Sequence, residues 1–194
     1  MKKIILASGS PRRKMLLEWA EIPFEIMVSD ADESFSPEKD PLDVALEIAR
    51  NKNRVIANVE GLDRSGSIII SADTIVVLDQ KVIGKPINRD DAISILSKLS
   101  GQTHKVITAV CISSENDECL FHEETEVVFH PLTLSQIEHY VDTYKPYDKA
   151  GAYAIQEWIG VIGIKQIKGD FYNVMGLPVS SVIRTLNQRF FPNG

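Results

Sequence analysis

Asp73 is the residue in this chain that most plainly asks for chemistry. It sits in the run IIISADTIVVL (residues 68–78), where a strand of isoleucine and valine should be buried. A carboxylate placed there needs an ion-pair partner, hydrogen bonds or a metal. A second set of candidates lies at the start of the chain, in SGSPRR (residues 8–13). Arg12 and Arg13 carry two permanent cations, each a planar fork of donors, directly after Ser8, Ser10 and Pro11. If a helix begins at Pro11, its first backbone N–H groups lack internal partners and its dipole adds positive charge. Such a mouth suits an anionic oxygen cluster such as a polyphosphate. A surface helix that happens to begin with two arginines is the plainer alternative.

Other polar residues fall where a site could use them. Lys85 stands between Gly84 and Pro86, and Gln156 ends the small-residue run DKAGAYAIQ (residues 148–156). An amide offers a donor and an acceptor side by side, so Gln156 could read a base edge or simply face water. Glu33 reads first as a solvated loop acid, and Lys52 as a solvated helix lysine. His104 could serve as a general base, with a strand-edge histidine making a structural hydrogen bond as the plainer alternative. Trp19, Trp158, Phe171 and Tyr172 read as packing residues.

The elements that must position these groups follow from periodicity and punctuation. Residues 3–7 read as a strand, followed by a serine–glycine loop and a helix with Ser10 as N-cap and Pro11 in its first turn. A strand over 24–28 and an acidic loop over 29–41 precede a helix from Pro41 to about Ala57, with Val44, Ile48, Val55 and Ile56 on its apolar face. Residues 68–78 form the most strand-like stretch, with Asp79-Gln80 turning into a strand at 82–83. Asn88 caps a helix that ends at Gly101. Residues 104–112 and 120–129 alternate as two antiparallel strands. Thr133 with Gln136 is a capping-box signature for a helix to about Val141. Residues 148–156 read as strand-like and 160–168 as a further strand. Residues 169–178 read as a loop, and Pro178 opens a last helix to about Arg189. The pattern implies an α/β or α+β fold with a mixed sheet.

Bulk properties bound the function classes. The 194 residues are 44% hydrophobic and 25% charged, enough for one good core and one domain over 1–194, with room for two lobes. A net charge of −6 argues against a non-specific nucleic-acid or membrane-surface binder. Cys111 and Cys119 have neither metal-ligand spacing nor the density of a disulfide framework, and His122, His130 and His139 show no metal pattern. The opening MKKIILA resembles the start of a secretory signal, but its apolar run stops too soon. No run approaches the ~20 apolar residues of a membrane span, and the expectation is a cytoplasmic protein.

SGSPRR at 8–13, SADT at 71–74, GKP at 84–86, LSGQTHKVITAV at 99–110, DKAGAYAIQ at 148–156 and YNVMGLP at 172–178 together resemble the Maf family of nucleotide pyrophosphatases. The blocks run in the family's order over almost the whole chain. The paired arginine and the Ala-Tyr-Ala-Ile-Gln ending resemble the branch acting on dTTP and UTP. The resemblance implies an elongated mixed sheet flanked by helices, with a cleft between two lobes, related to the inosine triphosphate pyrophosphatases. It implies that Asp73 is the catalytic carboxylate and that Arg12, Thr74 and Gln156 help select the base. Ser8, Arg13, Glu33, Lys52 and Lys85 match family positions lining the pocket, with Ser10 beside them; the charge of a triphosphate near Asp73 and Glu33 then calls for a divalent cation, Mg²⁺ or Mn²⁺, held by those two acids. One departure is Asn53, where the family more often has alanine after the lysine. The implied partner is a nucleoside triphosphate, without nucleic acid or membrane, in a chain that is often a homodimer and linked to septum formation. A nucleotide-binding regulator of cell division with little hydrolysis, or a broad phosphohydrolase, stays open as an alternative.

Overall fold

The computed structural model describes residues 2–191 except 29, 35 and 37, so Met1 of the signal-like start and three positions of the acidic loop lie outside the described residues. The chain forms strands β1 (Lys3–Leu6), β2 (Glu25–Ile26), β3 (Ser67–Leu78), β4 (Lys81–Ile83), β5 (Thr103–Ser113), β6 (Glu118–Phe129) and β7 (Ile164–Lys168). Between them run helices α1 (Pro11–Trp19), α2 (Pro41–Ala57), α3 (Arg89–Leu99), α4 (Leu134–Tyr144), α5 (Trp158–Gly163), α6 (Phe171–Met175) and α7 (Val179–Thr185). The strands make one mixed sheet in the order β2-β1-β3-β5-β6-β7, with β4 beside β3. The expected α/β class with a mixed sheet is what the chain adopts. By contacts the chain divides into two compact units, one of residues 1–73, 108–123 and 176–194, the other of 74–107 and 124–175. The division falls between Asp73 and Thr74, inside β3.

In the first unit β1 pairs in parallel with both β2 and β3, with Ile5 opposite Ile69 and Leu6 opposite Ile70. Parallel strands covered on both faces read as continuous apolar runs, and Ile68, Ile69 and Ile70 are wholly buried. Helix α2 lays Val44, Ala45, Ile48, Ala49, Lys52, Asn53 and Ile56 inward along one stripe. Ile5, Ala7, Ile56 and Ile69 form a core cluster there. Asn53, the family departure, is buried and clamps that helix to the sheet. Its Nδ2 donates to the carbonyls of Ile69 and Cys111, and its Oδ1 accepts from the Ser113 hydroxyl.

In the second unit, Asp79 and Gln80 both take positive φ, the geometry of a primed hairpin turn, and β4 returns antiparallel to β3. Asn88 caps α3, its Oδ1 accepting from Asp91 N at 2.9 Å, and Gly101 follows the helix at φ +71°. The capping box of Thr133 and Gln136 is formed, and α4 runs on to Tyr144. His104 is buried and shares a 2.7 Å hydrogen bond between Nε2 and the Tyr153 hydroxyl; burial pushes its pKa down to about 4. Cys111 and Cys119 are free thiols, and burial pushes Cys111 up to about 12.

Four expectations fail. Residues 148–156 are not strand-like: a 3-10 turn at Ala150–Ala152 with left-handed Gly151 and Ala152 breaks the extended path. The first half of 160–168 belongs to helix α5, because Gly160 packs its backbone against Ile155 O where an extended chain could not. The 169–178 loop contains the one-turn helix α6. Trp19, Phe171 and Tyr172 are substantially exposed rather than packed, while Trp158 stacks edge-on against His139.

Candidate active site

The first unit gathers most of the acidic and basic candidates. Ser10 is the N-cap of α1 and accepts from Arg13 N, as its place before Pro11 requires. Ser8 is buried in the loop before it, and its Oγ accepts from Ser10 N at 3.2 Å and from Arg13 Nη1 at 3.3 Å. Arg13 shares the inward face of α1 with Leu16 and Leu17, at i, i+3 and i+4. It is 8% exposed, and its Nε donates to Gly176 O at 2.8 Å. Its guanidinium therefore braces the serine loop and the 176 backbone while keeping its charge. Burial lowers its pKa, the charges of Asp73 and Glu33 act to raise it, and Arg12 lowers it further. Arg12 is half-buried on the neighbouring face.

Lys52 is the centre of this group. The sequence reads it as a solvated lysine, yet it lies four residues from both Ile48 and Ile56 on the buried stripe of α2 and is 8% exposed. Its Nζ stands 2.7 Å from Asp73 Oδ1 and 2.7 Å from Glu33 Oε1. The buried strand acid thus has the partner its position demanded. Glu33, read first as a solvated acid, is a half-exposed second partner to the same ammonium. Ser71, two residues before Asp73, donates to Ala49 O at 2.7 Å and ties α2 to β3 just where the pair meets. Ser71, inside the SADT block, and Asn53, the family departure, carry no role in the sequence-based site, yet both tie α2 to the strands around it.

The second unit carries Thr74, Lys85 and Gln156. Thr74 follows Asp73 on β3 and is half-buried; Lys85 and Gln156 are exposed. Gly151 N donates to Gly84 O at 3.1 Å, so the segment before Gln156 and the Gly84-Lys85-Pro86 segment adjoin within this unit. Gly151 sits at φ +69°, and a Cβ there would lie 2.9 Å from Val76. Only glycine serves both demands.

Among the described residues no group of three or more His, Cys, Asp or Glu is placed to hold a metal ion. Two carboxylates do converge. Asp73 and Glu33 present oxygens to a common positive centre, no farther apart than twice 2.7 Å. Carboxylate oxygens are the hard ligands that Mg²⁺ or Mn²⁺ takes, and here both acids are bonded to the Lys52 ammonium. Among the described residues no helix is long and apolar enough to cross a membrane.

A buried strand acid, an inward lysine and a serine–arginine helix start thus lie together in the first unit of a mixed α/β frame. Residues 3–189 match the family model described as Maf-like protein, and the chain belongs to that family. A curated relative from Bacillus cereus, named dTTP/UTP pyrophosphatase, is 46% identical over 188 residues, covering 97% of this chain and 96% of its own. One of the same name from Cytophaga hutchinsonii is 47% identical over 189 residues, covering 97% and 85%. Among solved structures, the Staphylococcus aureus Ham1 protein aligns over 66% of this chain and 72% of its own, at 12% identity and a TM-score of 0.44.

Proposed function

We propose that this chain hydrolyses dTTP and UTP to the monophosphate and pyrophosphate, with Asp73 as its catalytic carboxylate. The observation that carries this is the buried Lys52–Asp73 pair, joined by the half-exposed Glu33 and beside Arg13, in a chain 46% identical to a dTTP/UTP pyrophosphatase. A triphosphate brings about four negative charges, and carboxylates nearby would repel it without cations to intervene. Ser8, Ser10, Arg13, Lys52 and Lys85 bind the phosphate oxygens in this account, while Arg12, Thr74 and Gln156 select the base. Glu33 and Asp73 would hold a divalent cation, which when bound screens the phosphate charge.

Asp73 orients, and accepts a proton from, the water that attacks the α-phosphorus in line with departing pyrophosphate. Lys52 holds that carboxylate in one orientation before the substrate arrives. Positioning and charge stabilisation supply most of the rate, as phosphoryl transfer requires. A nucleotide substrate fits action in the cytoplasm.

The test is a panel of nucleoside triphosphates with Mg²⁺ or Mn²⁺, read by released pyrophosphate. Pyrophosphate and monophosphate in equal amounts, fastest from dTTP and UTP, is the expected result. Stoichiometric binding without release would overturn it and favour a nucleotide-binding regulator.

A further inference from the structure

We infer that the Lys52 ammonium holds the cation position between Asp73 and Glu33 in the nucleotide-free protein, and must leave it before those acids can share a metal ion. The inference rests on the proposed role of the two acids in holding a divalent cation, and adds what controls it. Lys52 Nζ lies 2.7 Å from Asp73 Oδ1 and 2.7 Å from Glu33 Oε1, so one group meets both carboxylates. Its contact with Asp73 is a buried hydrogen bond. The lysine reaches this point from the buried stripe of α2, and its side chain is only 10% exposed. An ammonium is a compact point charge with three donors, and two acids occupy it here. It already draws the two carboxylates together, as a metal ion would.

The two kinds of cation exclude each other. Carboxylate oxygens bind Mg²⁺ at about 2.1 Å, which would bring its double charge within a few ångströms of the ammonium. Like charges at that range repel strongly in a partly dry site. No negative charge is left over to offset the ion. Arg13 feels the charges of both acids and of Arg12, so with Lys52 three cations already face two acids.

Nucleotide phosphates reverse that balance. They bring about four negative charges and offer the ammonium oxygens of its own, as the phosphate-binding role of Lys52 requires. The lysine's flexible four-carbon stem lets the charge move without a shift of the helix. Lys52 thereby couples the two ligands, yielding the acids when phosphate oxygens receive it.

The test is Mn²⁺ binding by calorimetry to the nucleotide-free full chain, with melting temperatures recorded with and without Mn²⁺. It answers even for a chain that does not hydrolyse. Wild type and Glu33→Gln should bind Mn²⁺ weakly and alike. Lys52→Met should bind it at least about tenfold more tightly, the least that a like charge a few ångströms away imposes on a cation. Mn²⁺ should then raise the melting temperature of Lys52→Met and leave that of wild type unchanged. Adding Glu33→Gln to Lys52→Met should remove the gain, although alone it changes nothing. Should Lys52→Met fail to fold, Lys52→Gln takes its place, its polar amide easing the stranded acid, and should gain likewise. Arg12→Met removes the same charge without vacating the position and should gain less than Lys52→Met. An equal gain in Arg12→Met would make net charge the cause and overturn the inference. So would tight Mn²⁺ binding by wild type that Glu33→Gln abolishes, which leaves the metal role of the two acids standing. No gain on replacing Lys52 overturns the inference together with that metal role.

Discussion

Replacing Lys52 by methionine removes the ammonium while keeping an unbranched chain of similar length on the buried stripe of α2. The side chains of Lys52 and Asp73 are 10% and 12% exposed, that of Glu33 46%. At 2.7 Å, the Lys52–Asp73 attraction is about 6 kcal/mol at an effective dielectric constant of about 20, before desolvation is subtracted. The half-exposed Glu33 contact adds at most about 1 kcal/mol. Removing one partner leaves Asp73 buried and unpaired, so Lys52→Met should cost about 3–5 kcal/mol in folding free energy. For a chain of this length that lowers the melting temperature by roughly 10 °C. Adding Asp73→Asn removes the stranded charge, and the double variant should recover about 2 kcal/mol of the loss. Urea unfolding of wild type, both single variants and the double variant near pH 7 reads all four states. Lys52→Met within about 0.5 kcal/mol of wild type, within the range of an ordinary surface change, would refute the reasoning. So would a double variant less stable than Lys52→Met alone.

Other consequences are independent of that pair. His104 is held neutral, its pKa pushed down to about 4 by burial, below the ~6.5 of an unfolded chain. Its contribution is therefore complete above about pH 6.5 and is lost as pH falls towards 4, because the unfolded chain takes up a proton the folded one refuses. Relative to His104→Gln, wild type should lose about 3 kcal/mol of stability between pH 7 and pH 4, measured by urea unfolding at each pH. Asn53→Ala removes three buried hydrogen bonds, with Ser71 still donating to Cys111 O and Arg64 to the Ser113 hydroxyl, and should cost about 2 kcal/mol in the same assay. Gly160→Ala forces a methyl to within 1.7 Å of Ile155 O, and the chain should lose at least about 3 kcal/mol or fail to accumulate as a folded species.

The parts of the fold visible in the sequence are those with strong local chemistry. Ser10-Pro11, Pro41 and Asn88 mark the starts of α1, α2 and α3 through caps and first-turn prolines that act within a turn. The long run of β3 is unmistakable because both its faces are covered. The failures lie where non-local packing decides. Residues 150–152 turn where Gly151 passes close to Val76, a neighbour no linear string shows; α5 is the exception, since Gly160 packs against Ile155 O only a turn or so back in the chain. Asp73 stood out as a polar residue inside an apolar strand. Lys52 did not, since its partner lies 21 residues away in the chain, although its spacing from Ile48 and Ile56 placed it on the inward face.

The most direct measurement is pyrophosphate release from UTP by Asp73→Asn and wild type, with Mg²⁺ or Mn²⁺ supplied and the melting temperature recorded alongside. The expected result is a folded variant whose turnover is lower by orders of magnitude, since the carboxylate that takes the water's proton is gone. Near-normal turnover in that variant would contradict it.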